Sequence, residues 1–194
     1  MTLTLDEPKT TRLMTAEEVL AMPEDGIERD LIRGELREKE MTRRNPTHST
    51  VEVTFSARLW NWCMSRPEPR GRVVGGEAGF RIRRNPDTLV GIDVAYIDAA
   101  ASAKISNDMK IIEGPPVLAV EILSPSDKQE DILDKVRDYL DAGTKVVLLL
   151  EPVFETVTVY RPDAAPNLLT GAQELTMEPH LPGFRCTAGE IFRA

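Results

Sequence analysis

Apolar residues along the chain recur first at the period of helices and then at that of strands. Residues 1–13 mix charges with threonines and show no apolar rhythm. They read as a disordered tail ahead of one domain spanning 14–194. Thr15-Ala16-Glu17-Glu18 has the form of a capping box, with a hydroxyl at the cap and a glutamate three residues on. It predicts a short helix ending near Met22-Pro23. IERDLIRGELREKE is extended on both sides of Arg33-Gly34, which reads as a hairpin turn. After Asn45-Pro46, the positions His48, Val51, Phe55, Leu59 and Trp62 fall three and four apart, on one face of a long helix that Pro67 and Pro69 stop. Three strand-like runs follow: RVVGGEAGFRIR, LVGIDVAYI and PVLAVEIL. The last two are apolar enough to be covered on both faces. Residues 98–114, between them, read as a polar, mobile connection. A helix is expected from about Asp127 to Ala142, with Ile132, Val136, Tyr139 and Leu140 as its stripe and Gly143 as its stop. KVVLLLE and TVTVY are further strands. From Arg161 onward the chain is rich in proline and glycine and shows no clear element. This order predicts an α/β (α+β) domain, a mixed central sheet flanked by helices, with an N-terminal helix and hairpin.

Composition narrows the function more than the fold. A length of 194 residues suits one domain, and with 41% apolar but only 5% aromatic residues the core must be aliphatic. No apolar run reaches 18 residues, so no membrane span is expected, and the charged N-terminus is not a signal peptide. The expected compartment is the cytoplasm. Cys63 and Cys186 stand outside any CxxC or Cys/His cluster, which favours buried, reduced thiols over zinc. The net charge of −8 argues against a protein that coats DNA through a basic face. It does not exclude a nuclease, because acids gathered to hold a cation add to the same imbalance. Basic residues cluster at Arg37, Lys39, Arg43 and Arg44, and at Arg81, Arg83 and Arg84. Each cluster either meets a phosphate backbone or is ordinary solvated charge.

Three acids interrupt strands: Asp93 in VGIDVAYI, Glu121 in PVLAVEILS and Glu77 in VGGEAGF. An acid within an apolar strand costs several kcal/mol unless it is paired or bound to a cation. Asp93 and Glu121 on adjacent strands either share a divalent ion or each pair with an arginine at a strand end. Hard ions such as magnesium take oxygen ligands and activate water in phosphodiester cleavage. Lys135 sits at the edge of the later helix's stripe, where it either reaches a phosphate or attacking water, or pairs on the surface with Asp131. Glu35, just after the Arg33-Gly34 turn, is an additional ligand or an exposed strand residue. His48 reads as core packing or a helix-start hydrogen bond. No phosphate-binding glycine loop, GxSxG elbow or HExxH is present, so no organic cofactor is expected.

Taken together, MTAEEVLAMPEDGIERDLIRGEL, the later His48, GGEAGFRI, GIDVAYI, PPVLAVEILSPSD and DKVRDYLDAGTKVVLLLEP resemble the Uma-type family of bacterial restriction-endonuclease-like proteins, within the PD-(D/E)XK nuclease superfamily. The matching pieces run in the family's order over roughly residues 14–161. The resemblance implies a restriction-endonuclease-like core and a magnesium-dependent (or manganese-dependent) DNA endonuclease. It places the metal-binding acids at Asp93 and Glu121, with Glu77 as a nearby acid, Lys135 as the helix lysine and Glu35 as the early acid of an RGE-type element. By analogy with related nucleases it also implies a homodimer. Two positions depart from the motif: Ile92 stands where a proline usually precedes the aspartate, and Leu123 occupies the lysine position. Those departures and the acidic balance leave an alternative, a non-catalytic nucleic-acid-binding or protein-interaction module that keeps the fold.

Overall fold

The computed structural model describes residues 12–40, 45–125 and 127–193. Residues 1–11 of the expected tail, and Arg43 and Arg44 of the first basic cluster, lie outside the described residues. Helix α1 (Ala16–Leu20) carries the expected box: Thr15 accepts from the Glu18 amide, and the Glu18 carboxylate accepts the Thr15 N–H at 2.9 Å. Strands β1 (Ile27–Ile32) and β2 (Glu35–Glu40) form the expected hairpin. Arg33 and Gly34 take φ of 52° and 84°, the left-handed pair that suits a two-residue turn. In α2 (Pro46–Met64), the Asn45 side chain accepts the His48 amide at 2.8 Å, and Pro46 occupies the first turn, where no donor is needed.

Strands β3 (Arg72–Arg83) and β4 (Thr88–Ile97) pair antiparallel along their length. The polar connection that follows contains a one-turn helix, α3 (Ala99–Ser102), and a short strand, β5 (Ile112–Glu113), parallel to β3. β6 (Leu118–Ile122) and β7 (Val146–Glu151) run parallel, with α4 (Gln129–Ala142) crossing between them. Gly143 ends α4 at φ 110°, a conformation that suits glycine. β8 (Thr156–Arg161) and β9 (Ala164–Thr170) extend the sheet. A hairpin of β10 (Glu174–Thr176) and β11 (Arg185–Thr187) then leads into α5 (Ala188–Phe192). β9 is exposed at six of its seven positions, so it shows no apolar pattern, and the last two strands have only three residues each. These are the elements that the Pro/Gly-rich sequence left unread.

The main sheet is mixed and mostly antiparallel, in the order β2-β1-β4-β6-β7-β8-β9, with β3 branching from β4 and β5 pairing β3. One face carries Val94, Leu118, Val120 and Leu148 against Val51, Phe55 and Leu59 of α2 and the C-terminal segment; the other carries Ile92, Ala119 and Val147 against Val136 and Tyr139 of α4. Among the described residues, no helix is long and apolar enough to cross a membrane.

One irregularity in the sheet creates the cleft. β3 covers one edge of β4, but the other edge meets two different strands. β1 joins it only at Leu31 opposite Leu89, whereas β6 joins it at Val94, Ala95 and Tyr96. Among the described residues, no strand pairs with residues 90–93 on that side, so the sheet splits there.

Candidate active site

Backbone groups at the split still need partners, because a buried amide without one costs free energy. Side chains supply them. Asp30 Oδ1 accepts the Gly91 N–H at 3.2 Å, and Asp93 Oδ2 accepts the Ile122 N–H at 2.7 Å. The Lys135 ammonium lies 3.5 Å from the Gly91 carbonyl oxygen. Polar chemistry is therefore concentrated where the ladder is interrupted. The split opens into a cleft of about 310 Å³ whose lining includes Asp30, Glu77, Asp93, Glu121 and Lys135.

Each acid arrives there for a local reason. In β6, Leu118, Val120 and Ile122 join the α2-side core, so alternation sends Glu121 toward α4 with Ala119. In β4 the alternation is broken: Ile92 belongs to the α4-side core and Val94 to the α2-side core. The cause is a bulge, in which Gly76 and Glu77 of β3 together oppose the single residue Asp93. Gly76 and Glu77 have φ of 73° and 59°, an unusual consecutive pair of left-handed residues. Room for the Glu77 carboxylate comes from Gly91, where an added Cβ would lie 2.6 Å from Glu77 Oε2. In β1, Glu28, Asp30 and Ile32 share a face, and all three line the cleft.

The charges form one coupled group. Asp93 and Glu121 are only 4% and 7% exposed. Glu121 Oε1 accepts from the Tyr139 hydroxyl at 2.5 Å, and its Oε2 lies 3.8 Å from Lys135 Nζ. Lys135 Nζ is closer still to Asp30 Oδ2, at 3.1 Å. Burial pushes the Glu121 carboxyl up to about 7; Lys135 opposes the rise, while Asp93 and Asp30 add to it. Burial pulls the Lys135 ammonium down, yet Glu121 and Asp30 outweigh it and hold that pKa above the usual lysine value. Burial and the same negative charges raise the Tyr139 hydroxyl, so it stays a donor to Glu121.

The structure thus brings four of the expected residues, Asp93, Glu121, Glu77 and Lys135, to one cleft. Lys135 pairs with Asp30 and Glu121, while Asp131 pairs with Arg37 at 3.0 Å. Glu35 does not join them. It pairs in register with Ile32 beside the hairpin turn, is exposed, and does not line the cleft. The hairpin's acids in the cleft lining are Glu28, Asp30 and Glu38, of which Asp30 is the one paired with Lys135, and the alternation Glu28-Asp30-Ile32 is the signal for its face. Tyr139 belongs to the apolar stripe of α4, as its spacing predicts, but its hydroxyl reaches Glu121 in the site, which the spacing does not show. Leu123, at the motif's lysine position, packs against the α4-side core.

The two basic clusters differ. Arg37, Lys39 and Lys128 line the cleft mouth; Arg37 meets Asp131, and Lys39 meets Asp127 at 2.9 Å. Arg81 is buried and ion-paired with Glu17 and Glu113, and Arg84 with Glu113 at 3.0 Å. Arg83 lies 3.8 Å from Asp141 of α4, so this second cluster joins α1, β5 and α4 and stands apart from the cleft lining.

Carboxylate oxygens suit hard divalent ions. Among the described residues, no three His, Cys, Asp or Glu side chains are gathered as a ready-made metal nest. The donor set fits an ion of the magnesium type, which is held through one or two carboxylates and completes its shell with water and phosphate oxygens.

A family model described as "Putative restriction endonuclease" matches residues 16–189. No curated protein matches the chain. A solved structure described as a "putative nuclease", from Anabaena variabilis, is similar over 92% of this chain and 97% of its own, with a TM-score of 0.78 at 20% sequence identity.

Proposed function

The chain belongs to the Uma2 family of restriction-endonuclease-like proteins, and from that membership we propose that it is a metal-dependent endonuclease hydrolysing phosphodiester bonds in DNA. The observation that carries the proposal is the meeting of Asp93, Glu121 and the Lys135 ammonium in one cleft at a break in the sheet. Magnesium or manganese would be held by Asp93 and Glu121, with Glu77 assisting. When bound, the ion supplies activation of water and neutralisation of phosphate charge.

The chain's own residues do the rest. Lys135, anchored by Asp30, presents its ammonium to the scissile phosphate and stabilises negative charge as the bond breaks. Tyr139 fixes the Glu121 carboxylate through its hydrogen bond. Arg37, Lys39 and Lys128 meet the flanking phosphates, exchanging the internal carboxylates of Asp127 and Asp131 for those of the substrate. Lys135 takes the place of the motif lysine that Leu123 lacks, entering from α4 rather than from β6. By analogy with related nucleases the working unit is a homodimer, acting in the cytoplasm.

The rival reading, a non-catalytic module, draws on Leu123 and on the ion-paired state of Lys135. Two measurements separate them. Plasmid cleavage in magnesium is expected for the wild type and lost, by roughly a hundredfold or more, in D93A and K135A. Equal cleavage by all three sinks the proposal. Saturating magnesium or manganese is also expected to raise the melting temperature of the wild type, since an ion bound to the native state stabilises it. An unchanged melt favours the module.

A further inference from the structure

Two side chains on the first turns of α2 have no part in the chemistry above. His48 is 1% exposed, and among the described residues neither of its ring nitrogens makes a hydrogen bond of good geometry. A buried imidazole with idle nitrogens is costly, so what faces it matters. Nε2 lies 3.4 Å from Asp93 Oδ1, and Nδ1 lies 4.0 Å from Glu52 Oε2. The other Asp93 oxygen already accepts the Ile122 amide. Glu52, four residues after His48, accepts the Gly76 N–H at 3.1 Å, at the bulge that carries Glu77. One face of α2 therefore reaches both Asp93 and the Glu77 bulge, on the side of the sheet away from α4.

We infer that His48 is a positioning residue for Asp93: its Nε2–H closes on Oδ1 while the Ile122 amide holds Oδ2, and the two donors together fix the plane of the carboxylate. The separation is long for a hydrogen bond, as such contacts often are before a ligand binds and tightens them. Glu52 steadies the bulge from the next turn. Donors that orient a ligating carboxylate raise metal affinity without touching the ion. The role in metal binding rests on the nuclease reading; the hydrogen bond itself does not.

Two measurements on the full chain decide it. The chain has two histidines, so comparison with H180Q assigns the His48 imidazole in nitrogen-15 NMR spectra of metal-free protein. A protonated Nε2 is expected in the wild type, with that preference lost in D93A. A proton on Nδ1 alone, or tautomers that average, overturns the inference whatever the protein does with metal. In calorimetric titration with manganese, H48L is expected to weaken binding about tenfold to a hundredfold, with H48Q, which keeps an N–H donor, recovering most of it. H48L within twofold of wild type, or equal loss in H48L and H48Q, overturns the inference. A wild type that binds no manganese defeats the nuclease reading, and the tautomer then decides His48 alone.

Discussion

At the scale of single residues, the site is a problem of burying like charges. Glu121 has a folded-state pKa of about 7 against an ordinary value of 4.5. Between those values the native state binds more protons than the unfolded chain, so this group's contribution is fully present below 4.5 and lost as pH rises through 7. In metal-free buffer, the melting temperature of E121Q relative to wild type is therefore expected to climb from pH 5 to pH 8; a flat difference would refute the shift. Asp30 makes a different kind of prediction. It holds Lys135 at 3.1 Å but is not among the proposed metal ligands. D30N is expected to lower kcat by about tenfold to a hundredfold and leave the manganese Kd within about threefold, the pattern of an interaction used in the transition state. Parallel loss of both would move Asp30 into the metal site.

At the scale of elements, the deciding features are irregularities. The Gly76-Glu77 bulge turns an acid toward the cleft, and Gly91 on the neighbouring strand leaves space for it. G91A puts a methyl group against the Glu77 carboxylate; crowding of this kind costs about 1–3 kcal/mol. Urea denaturation should register that cost, and manganese titration should show weaker binding. A variant as stable as wild type with unchanged affinity would show that Glu77 can relocate freely. Regular elements were legible from periodicity: the capping box at Thr15, the stripe of α2, the turn at Arg33-Gly34 and the apolar strands around Asp93 and Glu121. Acids interrupting apolar strands marked most of the site. Asp30 escaped because β1 is half-exposed and rich in charge, so one more acid did not stand out. Glu35, open between ligand and exposed strand residue, proves to be the exposed first residue of β2, because nearness to the turn does not fix the face a residue shares. β9 to β11 were missed because exposed or three-residue strands carry too few buried positions to show a period.

At the scale of the whole molecule, the net charge of −8 opposes a polyanionic substrate, and the cleft shares that sign, with eight acids and four bases in its lining. A bound divalent ion, together with Arg37, Lys39 and Lys128, is what would offset it locally. The two halves of the cleft are also not equally secured. β6 and β7 lie deep in the sheet, and β6 is buried at every position. The β1–β2 hairpin, which contributes Asp30, meets β4 at one residue pair. Its turn is fastened to α4 by Arg33, whose guanidinium lies 2.7 Å from the buried Asp138 carboxylate. The hairpin's other ties include side-chain contacts, several of them half-exposed ion pairs such as Arg37–Asp131 and Lys39–Asp127, so a limb held this way should come undone before the paired central strands do. In native-state hydrogen exchange, the amides of residues 27–40 are expected to trade with deuterium well ahead of those of residues 118–122 and 146–150; matched rates would mean that the hairpin and the central strands open as a single cooperative unit. If the limb does loosen alone, the jaw that carries Asp30 and the cleft-mouth cations could part to admit something as thick as a nucleic-acid duplex without disturbing the strands that bear Asp93 and Glu121.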